Sequence, residues 1–518
     1  MTDACRTARK FASTVFAFFL MVSLVACAPV PRDTPKPLSF AEENDGTTTM
    51  MRRANALSAQ APQGESVFAP LQDGNEGLGA RLRIIEQAEK SVDLQYFLLN
   101  ADLAGALIAR ALLDAADRGV YVRLLVDDIF TGASDSGLGM LNEHDNIDVR
   151  LFNPAARPGP KSLSLATDFS RINRRMHNKT FTADGAVAII GGRNIGDEYY
   201  QIDTTSEFAD FDMILVGPAV KQISRSFDVF WNDEWAVPME VVRDNPSPEK
   251  ARSARSMLEA LLEPAKQQYN VAVNDLYLER LRQRLEPLFS GRIEIVSDPP
   301  EKLRVPFGKG QRVLAEDLLA RFKNADREMI LLTPYFVPED YGARLFAELA
   351  QSGVRVRIIT NSLLSNNHKA VHAGYERHRK MLLEAGVELH EVRGDALQTL
   401  GLVPPDSEKG ITMHTKLAII DDETVFVGSM NLDPRSVKHN TEFGTFIYSR
   451  NFARVLQERL TVGLTDYTYR LSLSEDGDLL WNYDNQDAPS VVDSEPGRSF
   501  SSDLTIGMTR LLGLEPQL

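Results

Sequence analysis

An eighteen-residue pattern occurs twice in this chain, and no other feature constrains it as much. The segment His177-Asn-Lys-x4-Asp184-x6-Gly191-Gly192-x-Asn194 returns as His414-Thr-Lys-x4-Asp421-x6-Gly428-Ser429-x-Asn431, with every spacing kept. The copies lie more than 200 residues apart, so the repeat reports a duplicated domain rather than a solenoid. Each copy brings an imidazole, an ammonium and a carboxamide at fixed offsets, which is what holding and attacking a phosphodiester requires. Two histidines allow one to act as nucleophile while the other handles the proton.

The flanking segments repeat as well. Tyr96-Phe97 answers Tyr335-Phe336, and Arg118-Gly-Val-Tyr-Val-Arg123 answers Ser352-Gly-Val-Arg-Val-Arg357. Apolar runs at Ser91–Phe97, Tyr121–Val126, Val149–Phe152 and Met213–Val216 read as strands, alternating with a helical pattern over Leu103–Arg118. The second half gives the same order, with a long helix expected over His368–Ala385. Strands alternating with helices predict a mixed α/β chain, one α/β sandwich in each half, and the halves facing each other about a pseudo-twofold axis with both motifs at the seam.

The expected boundaries follow from composition. Residues 1–26 read as a secretion signal, with Arg6, Arg9 and Lys10 before an apolar run too short for a comfortable membrane span. Residues 27–75 are rich in Pro, Thr, Ser and acidic residues and read as a flexible tether. The two folded units are expected at 76–240 and 306–473, joined by a charged helical connector at 241–305 that lacks a strand pattern. A polar extension follows at 474–518.

The formal net charge is -15, and loss of residues 1–26 would leave about -17. Such a surface repels polyanions and offers no general attraction to nucleic acid, although a local basic pocket is compatible with it. Cys5 lies in the signal and Cys27 at its end, the only two cysteines, so a disulfide framework and a cysteine metal site are excluded. The carboxylates are dispersed, the histidines are accounted for, and two lysines supply positive charge, so neither metal nor other cofactor is expected.

Within the motifs, Lys179 and Lys416 stand two residues from their histidines and share a strand face with them. Asn194 and Asn431 come from the glycine turn, where with the lysines they can donate to the non-bridging phosphate oxygens. Imidazole suits the nucleophile because its ordinary pKa is near neutrality. Each histidine also needs a partner to fix its tautomer. Glu207 in Ser206-Glu-Phe and Glu442 in Thr441-Glu-Phe fall at matching places. Asp184 and Asp421 complete the motifs, with a brace for the strand turn as their expected role. Arg171, Arg174 and Arg175 precede His177 and can gather a second anionic head group. His372, Tyr375 and Arg379 share a helical face and can line an acceptor pocket, and Ser429 adds a hydroxyl beside the second site.

The paired H-x-K-x4-D-x6-G-[GS]-x-N motifs resemble the signature of the phospholipase D superfamily over residues 77–470. The stretches Asp168–Lys179, Gly191–Asp197, Thr360-Asn-Ser-Leu-Leu and Val371-His-Ala-Gly-Tyr375 are similar to the C-type cardiolipin synthases. The resemblance implies two phospholipase D-like domains and a buried glutamate for each histidine. It also implies His177 as the nucleophile through a phosphohistidine, and His414 as the proton carrier. Gly192 stands where a serine is more frequent, as Ser429 is in the second copy.

The implied activity is transfer of a phosphatidyl group from phosphatidylglycerol or phosphatidylethanolamine to phosphatidylglycerol, forming cardiolipin. A hydrolytic phospholipase D remains the alternative, and a nuclease a weaker one. Leu24-Val-Ala-Cys27 resembles a lipobox, which implies acylation of Cys27, and Ala28 points to the outer membrane facing the periplasm. The implied partners are phospholipids and the membrane reached through that anchor; no protein partner is readable.

Overall fold

The computed structural model describes residues 34–155, 168–202, 206–306, 308–400, 402–404, 406–407, 409–485, 488–513 and 517. The secretion signal and Cys27 lie outside them. Among the described residues, nine strands belong to the first half: β1 (Ser66–Leu71), β2 (Ser91–Tyr96), β3 (Tyr121–Asp127), β4 (Ile147–Phe152), β5 (Thr180–Ala183), β6 (Val187–Gly191), β7 (Ser206–Ala209), β8 (Asp212–Val216) and β9 (Ala236–Pro238). The second half begins with β10 (Phe289–Ser297), β11 (Glu328–Leu332), β12 (Arg355–Asn361), β13 (Glu388–Val392), β14 (Gly410–Met413) and β15 (Leu417–Ile420). It continues with β16 (Thr424–Gly428), β17 (Phe443–Tyr448), β18 (Thr468–Leu473), β19 (Leu479–Asn485) and β20 (Ala488–Val492).

The pairings order the first half as β9-β4-β3-β2-β5-β6-β8-β1 and the second as β10-β17-β16-β15-β11-β12-β13-β18-β19-β20. β1 and β10 pair antiparallel, Val67 opposite Ser290, and fuse the two into one continuous sheet. About that β1–β10 join each first-half strand of the sheet has its counterpart in the second half, which is the expected pseudo-twofold written in hydrogen bonds, and β19 and β20 extend the second half beyond it. A separate parallel pair, β7 with β14, crosses between the halves.

Equivalent devices end equivalent elements. Helix Leu103–Asp117 stops at Gly119 (φ 94°) and helix Glu339–Gln351 at Gly353 (φ 100°), left-handed positions that favour glycine after a helix. Asp184 (φ 50°) and Asp421 (φ 54°) turn the β5–β6 and β15–β16 hairpins. The Asp184 carboxylate accepts the backbone N–H groups of Glu89, Lys90 and Ser91, at 3.1, 2.8 and 3.0 Å. Asp421 does the same for Asp326, Arg327 and Glu328, at 3.0, 2.8 and 3.1 Å. Both motif aspartates therefore lock a hairpin to the start of the neighbouring strand, β2 or β11.

Three expectations about the chain's plan need correction. Residues 34–75 do not form a tether: Ala41 donates to Asp228 at 3.0 Å, Thr49–Ser58 is a helix, and β1 is a central strand. The polar composition misled because β1 is short and its neighbours come from distant segments. The connector contains β10, in which Ser290, Arg292 and Glu294 alternate with Phe289, Ile293 and Ile295, a strand pattern lying within a charged and otherwise helical segment; β10 joins β1 to β17. The helix expected over 368–385 is two helices, Lys369–Glu376 and Arg379–Glu384, with a turn at Arg377-His378.

The core beneath the motifs belongs to both halves. Phe68, Met213 and Leu215 pack in one apolar cluster with Phe289, Ile330, Leu417 and Phe452. Phe68 stacks on Phe289 with centroids 6.0 Å apart and meets Phe452 edge-on at 5.1 Å. Burial of large aromatic side chains on both sides of the join makes the halves one cooperative body.

Candidate active site

Each histidine segment runs along the other half's chain. His177 donates its backbone N–H to Thr441 O at 3.0 Å, and Thr441 donates back to Arg175 O at 3.0 Å. In the mirror arrangement His414 donates to Ala209 O at 2.8 Å, extending the β7–β14 pair. The residue following each acceptor then falls beside the histidine ring. Glu442 follows Thr441, and its Oε2 lies 2.8 Å from His177 Nδ1. Asp210 follows Ala209, and its Oδ2 lies 2.6 Å from His414 Nδ1. Each half thus supplies the carboxylate that fixes the tautomer of the other half's histidine, leaving Nε2 as the basic nitrogen.

Asp210 rather than Glu207 occupies that position. Glu207 is half-buried on β7, accepting from Gln201 Nε2 at 2.7 Å and pairing with Lys409 at 3.0 Å. The strand register contains the signal that the Ser-Glu-Phe and Thr-Glu-Phe match obscured. Gly191 pairs with Asp212 and Gly428 with Gly444, and two residues before those partners stand Asp210 and Glu442.

The two halves solve the same packing problem differently. Ser429 Oγ donates to Glu442 Oε2 at 2.5 Å and accepts the Phe443 N–H at 2.9 Å. At Gly192 an added Cβ would come within 2.2 Å of Asp210 Oδ1. The Asp210 carboxylate therefore stands where a serine would, so glycine goes with Asp210 and serine with Glu442. Ser429 consequently orients Glu442 and is not aimed at substrate.

Lys179 and Lys416 fold back onto their own histidine carbonyls, at 2.7 and 2.5 Å. Asn194 Nδ2 lies 2.9 Å from the Tyr199 hydroxyl, and the side-chain oxygens of both Asn194 and Asn431 are buried without a hydrogen-bond partner. Rings wall the site. Phe97 meets His177 edge-on at 4.8 Å and lies 5.2 Å from Lys179 Nζ, while Phe208 stacks on His414 at 5.4 Å and Tyr199 meets it at 5.3 Å.

Burial sets the protonation states. His177 and His414 are 7% and 6% exposed. Desolvation, followed by the nearby lysines, drives the His177 pKa well below its ordinary value and that of His414 down to about 3. The same desolvation brings Lys179 down to about 7 and Lys416 to about 8. Burial raises Glu442 to about 7, whereas Asp210, although buried, is held below its usual range by His414 and Lys416. Both imidazoles are thus neutral bases at physiological pH, facing two lysines that titrate close to it.

The remaining expected residues lie elsewhere. Arg175 is fully buried, 3.2 Å from Asp127, and donates to Asn153 O at 2.8 Å. Arg171 pairs with Asp168 at 2.6 Å, and Arg174 donates to Leu303 O at 3.0 Å. These arginines pin the segment leading to His177, because the backbone there has no strand partner until Thr441. His372 bonds Glu495 at 2.7 Å and Tyr375 lies under Arg379, 4.7 Å from ring centroid to guanidinium. Both are buried inside the second half, so they line no acceptor pocket. His372, Glu376 and Glu495 come close enough together to suggest a cation site. Arg379 bonds Glu495 at 2.5 Å and Arg498 pairs with Glu376 at 3.0 Å, so guanidinium groups already fill it.

A cation that sequence reasoning missed is Arg435. It is half-buried, donates to Asn173 Oδ1 at 2.8 Å, and acts electrostatically on both His177 and His368.

The comparisons agree with this geometry. The family described as "Cardiolipin synthase, PLD-like domain" matches residues 82–231 and 318–461. The chain is 35% identical to cardiolipin synthase C of Escherichia coli over 90% of its own length and 99% of that protein. It is 24% identical to cardiolipin synthase 1 of Staphylococcus aureus over 74% of its length and 64% of that protein. The crystal structure of phosphatidylserine synthase from Haemophilus influenzae shares the fold, with TM-score 0.52, 16% identity, and coverage of 81% of this chain and 91% of that one. With both domain matches falling on the two half-sites and the likeness running through nearly the whole chain, this protein belongs to the cardiolipin synthase family of phospholipase D-like proteins.

Proposed function

We propose that the chain is a phosphatidyltransferase that forms cardiolipin by two displacements at one phosphorus. The observation that carries this is the reciprocal arrangement of two neutral imidazoles, each braced by a carboxylate from the opposite half, beside two buried lysines. His177 Nε2 attacks the phosphorus of phosphatidylglycerol or phosphatidylethanolamine, and the bond to the head-group alcohol breaks. The bound anion raises the pKa of His414, which enters protonated and gives that proton to the departing alkoxide. A glycerol hydroxyl of a second phosphatidylglycerol then returns a proton to His414 as its oxygen attacks, and the P–N bond opens to release His177. Lys179, Lys416 and the two asparagines stabilise charge on the non-bridging oxygens at each step.

Assignment of His177 as the nucleophile rests on the resemblance to the superfamily, since the two half-sites are nearly alike. Purified protein incubated with radiolabelled phosphatidylglycerol, with and without phosphatidylethanolamine, is expected to yield cardiolipin. Accumulation of phosphatidic acid alone would replace the acceptor alcohol by water and overturn the transferase reading.

The lipobox reading places the protein on a membrane through acylated Cys27, on the periplasmic side of the outer membrane. Six residues separate Cys27 from Thr34, a reach of at most about 20–25 Å at full extension. Membrane attachment confines enzyme and both substrates to one surface and raises their effective concentration. Radiolabelled palmitate should enter the wild-type chain and not Cys27→Ala; label in neither would remove the anchor. No helix among the described residues is long and apolar enough to cross a membrane.

A further inference from the structure

A cavity of about 610 Å³ lies away from the histidines, between helix Thr49–Ser58, the β1/β8/β6 face and helix Tyr277–Arg282. It reaches Val187 and Val216, at the ends of β6 and β8 opposite to Gly191 and Asp212. None of the histidines, lysines or asparagines of the two motifs lines it. Its inner wall is mostly apolar, with Met50, Ala54, Leu57, Ile84, Leu278 and Leu288 among the contributors. That volume and lining fall within the range of sites that take a small molecule.

The mouth is basic. Arg53, Arg282 and Arg284 stand there, in a protein whose formal charge is -15. They are held mainly by amides. Arg53 donates to Gln87 Oε1 at 3.4 Å, and Arg284 donates to Gln60 Oε1. Arg282 divides itself between Gln87 at 2.8 Å and Glu279 at 3.0 Å. An amide positions a guanidinium without neutralising it. Glu89, the one carboxylate in the lining, is engaged at the start of helix Thr49–Ser58, where it accepts the Thr49 N–H at 2.7 Å. Arg284 holds a left-handed φ of 60°, an arrangement that non-glycine residues adopt sparingly. Beside the arginines Leu276 and Leu285 project into solvent at 62% and 67% exposure.

An apolar interior behind three guanidinium groups, of which Arg282 alone forms an ion pair, with Glu279 at 3.0 Å, is complementary to one class of molecule, an amphiphile with an anionic head. We propose that this cavity is a second lipid site, which takes an acyl chain of an anionic phospholipid while Arg53, Arg282 and Arg284 hold its phosphate. Bidentate geometry suits guanidinium to that phosphate. Because the site shares no residue with the two half-sites, it stands whether or not the chemistry proposed above is correct.

The test uses the full-length chain with vesicles of phosphatidylcholine containing about one-fifth phosphatidylglycerol, a fraction high enough for anionic-lipid attraction to register. Part of the phosphatidylglycerol carries a diazirine in one acyl chain. After irradiation, label is expected in peptides spanning residues 49–58 and 277–288. The triple variant R53Q/R282Q/R284Q should lose at least about tenfold of that label while peptides containing His177 and His414 keep theirs. Ala54→Trp, which fills the cavity from its wall, should lose it as well, with thermal unfolding confirming that both variants are folded. Equal labelling of these peptides in the triple variant, or by a phosphatidylcholine probe, would overturn the proposal. So would label confined to the histidine peptides in the wild type.

Discussion

Glycine 192 and serine 429 occupy equivalent places, yet exchanging them is not neutral. A serine at 192 meets the Asp210 carboxylate at less than contact distance, and that carboxylate is what orients His414. Gly192→Ser alone should therefore lower kcat by about tenfold or more, and adding Asp210→Glu should restore part of it. The pair would then reproduce the second half's arrangement. Strict additivity of the two changes in a double-mutant cycle would show that they do not interact. Glu207→Gln, which disturbs only the Lys409 and Gln201 contacts, should leave kcat nearly unchanged, whereas Asp210→Asn should cost on the order of 10²–10⁴-fold by loss of the productive tautomer. The lysines make a second prediction. In the free enzyme the ammonium groups are lost as pH passes about 7 for Lys179 and about 8 for Lys416. So kcat/KM should fall across that window on the alkaline side. The fall in kcat should come at higher pH, since bound phosphate favours the charged form. A flat kcat/KM over the same range would contradict these assignments.

At the level of elements, β1 is the strand on which the assembly turns. It pairs with β8 over Val67–Leu71 on one side and with β10 over Ser66–Phe68 on the other, and Pro70, which has no N–H to donate, falls beyond the stretch paired on both edges. Phe68→Ala removes a ring packed against Phe289 and Phe452 across the join and should destabilise by about 3–5 kcal/mol. Urea unfolding would register it as a lower midpoint with unchanged slope. Truncation through residue 71 should abolish folding for the same reason, although composition alone reads that region as tether. Several elements were legible because their periodicity is local: β2, β3 and β12 are apolar runs flanked by helices. β1 was not, because its apolar run is short and its partners lie far away in sequence, and β10 was not, because its alternation sits inside a charged segment that reads as helical. His372 and Tyr375 lie on helix Lys369–Glu376 and Arg379 on the next helix, where Arg379 still packs over Tyr375. Which way these side chains look was decided by Glu495 from the C-terminal extension, more than a hundred residues on.

For the whole molecule the reciprocal carboxylates mean that neither half is complete alone. Acid stability should report the same centre. His414 has a folded pKa of about 3 against an ordinary 6.5, so between those values the unfolded chain binds a proton that the folded one refuses. The stability that a neutral His414 contributes is therefore present above about 6.5 and lost as pH falls toward 3. Glu442, raised to about 7, acts in the opposite sense over its own window. Replacing His414 and Asp210 together by asparagine removes the first effect without leaving a lone buried charge. The melting temperature of that variant should drop less than the wild type's between pH 6.5 and about 4.5. A parallel drop would mean that His414 is not the group responsible.

The duplicated spacing by itself determined the two-domain plan and the family, because those depend on residue types at fixed short offsets along the chain. It also located both glycine turns and both aspartate braces. Tertiary structure alone decided that Asp210 serves His414, that Glu442 crosses from one half to the other, and that three arginines before His177 hold backbone instead of substrate. Those outcomes depend on which strand edge meets which across the join. Pairing of that kind is set by the packing of Phe68, Phe289 and Phe452 around β1 and β10, residues that carry no motif and whose partners lie hundreds of positions away.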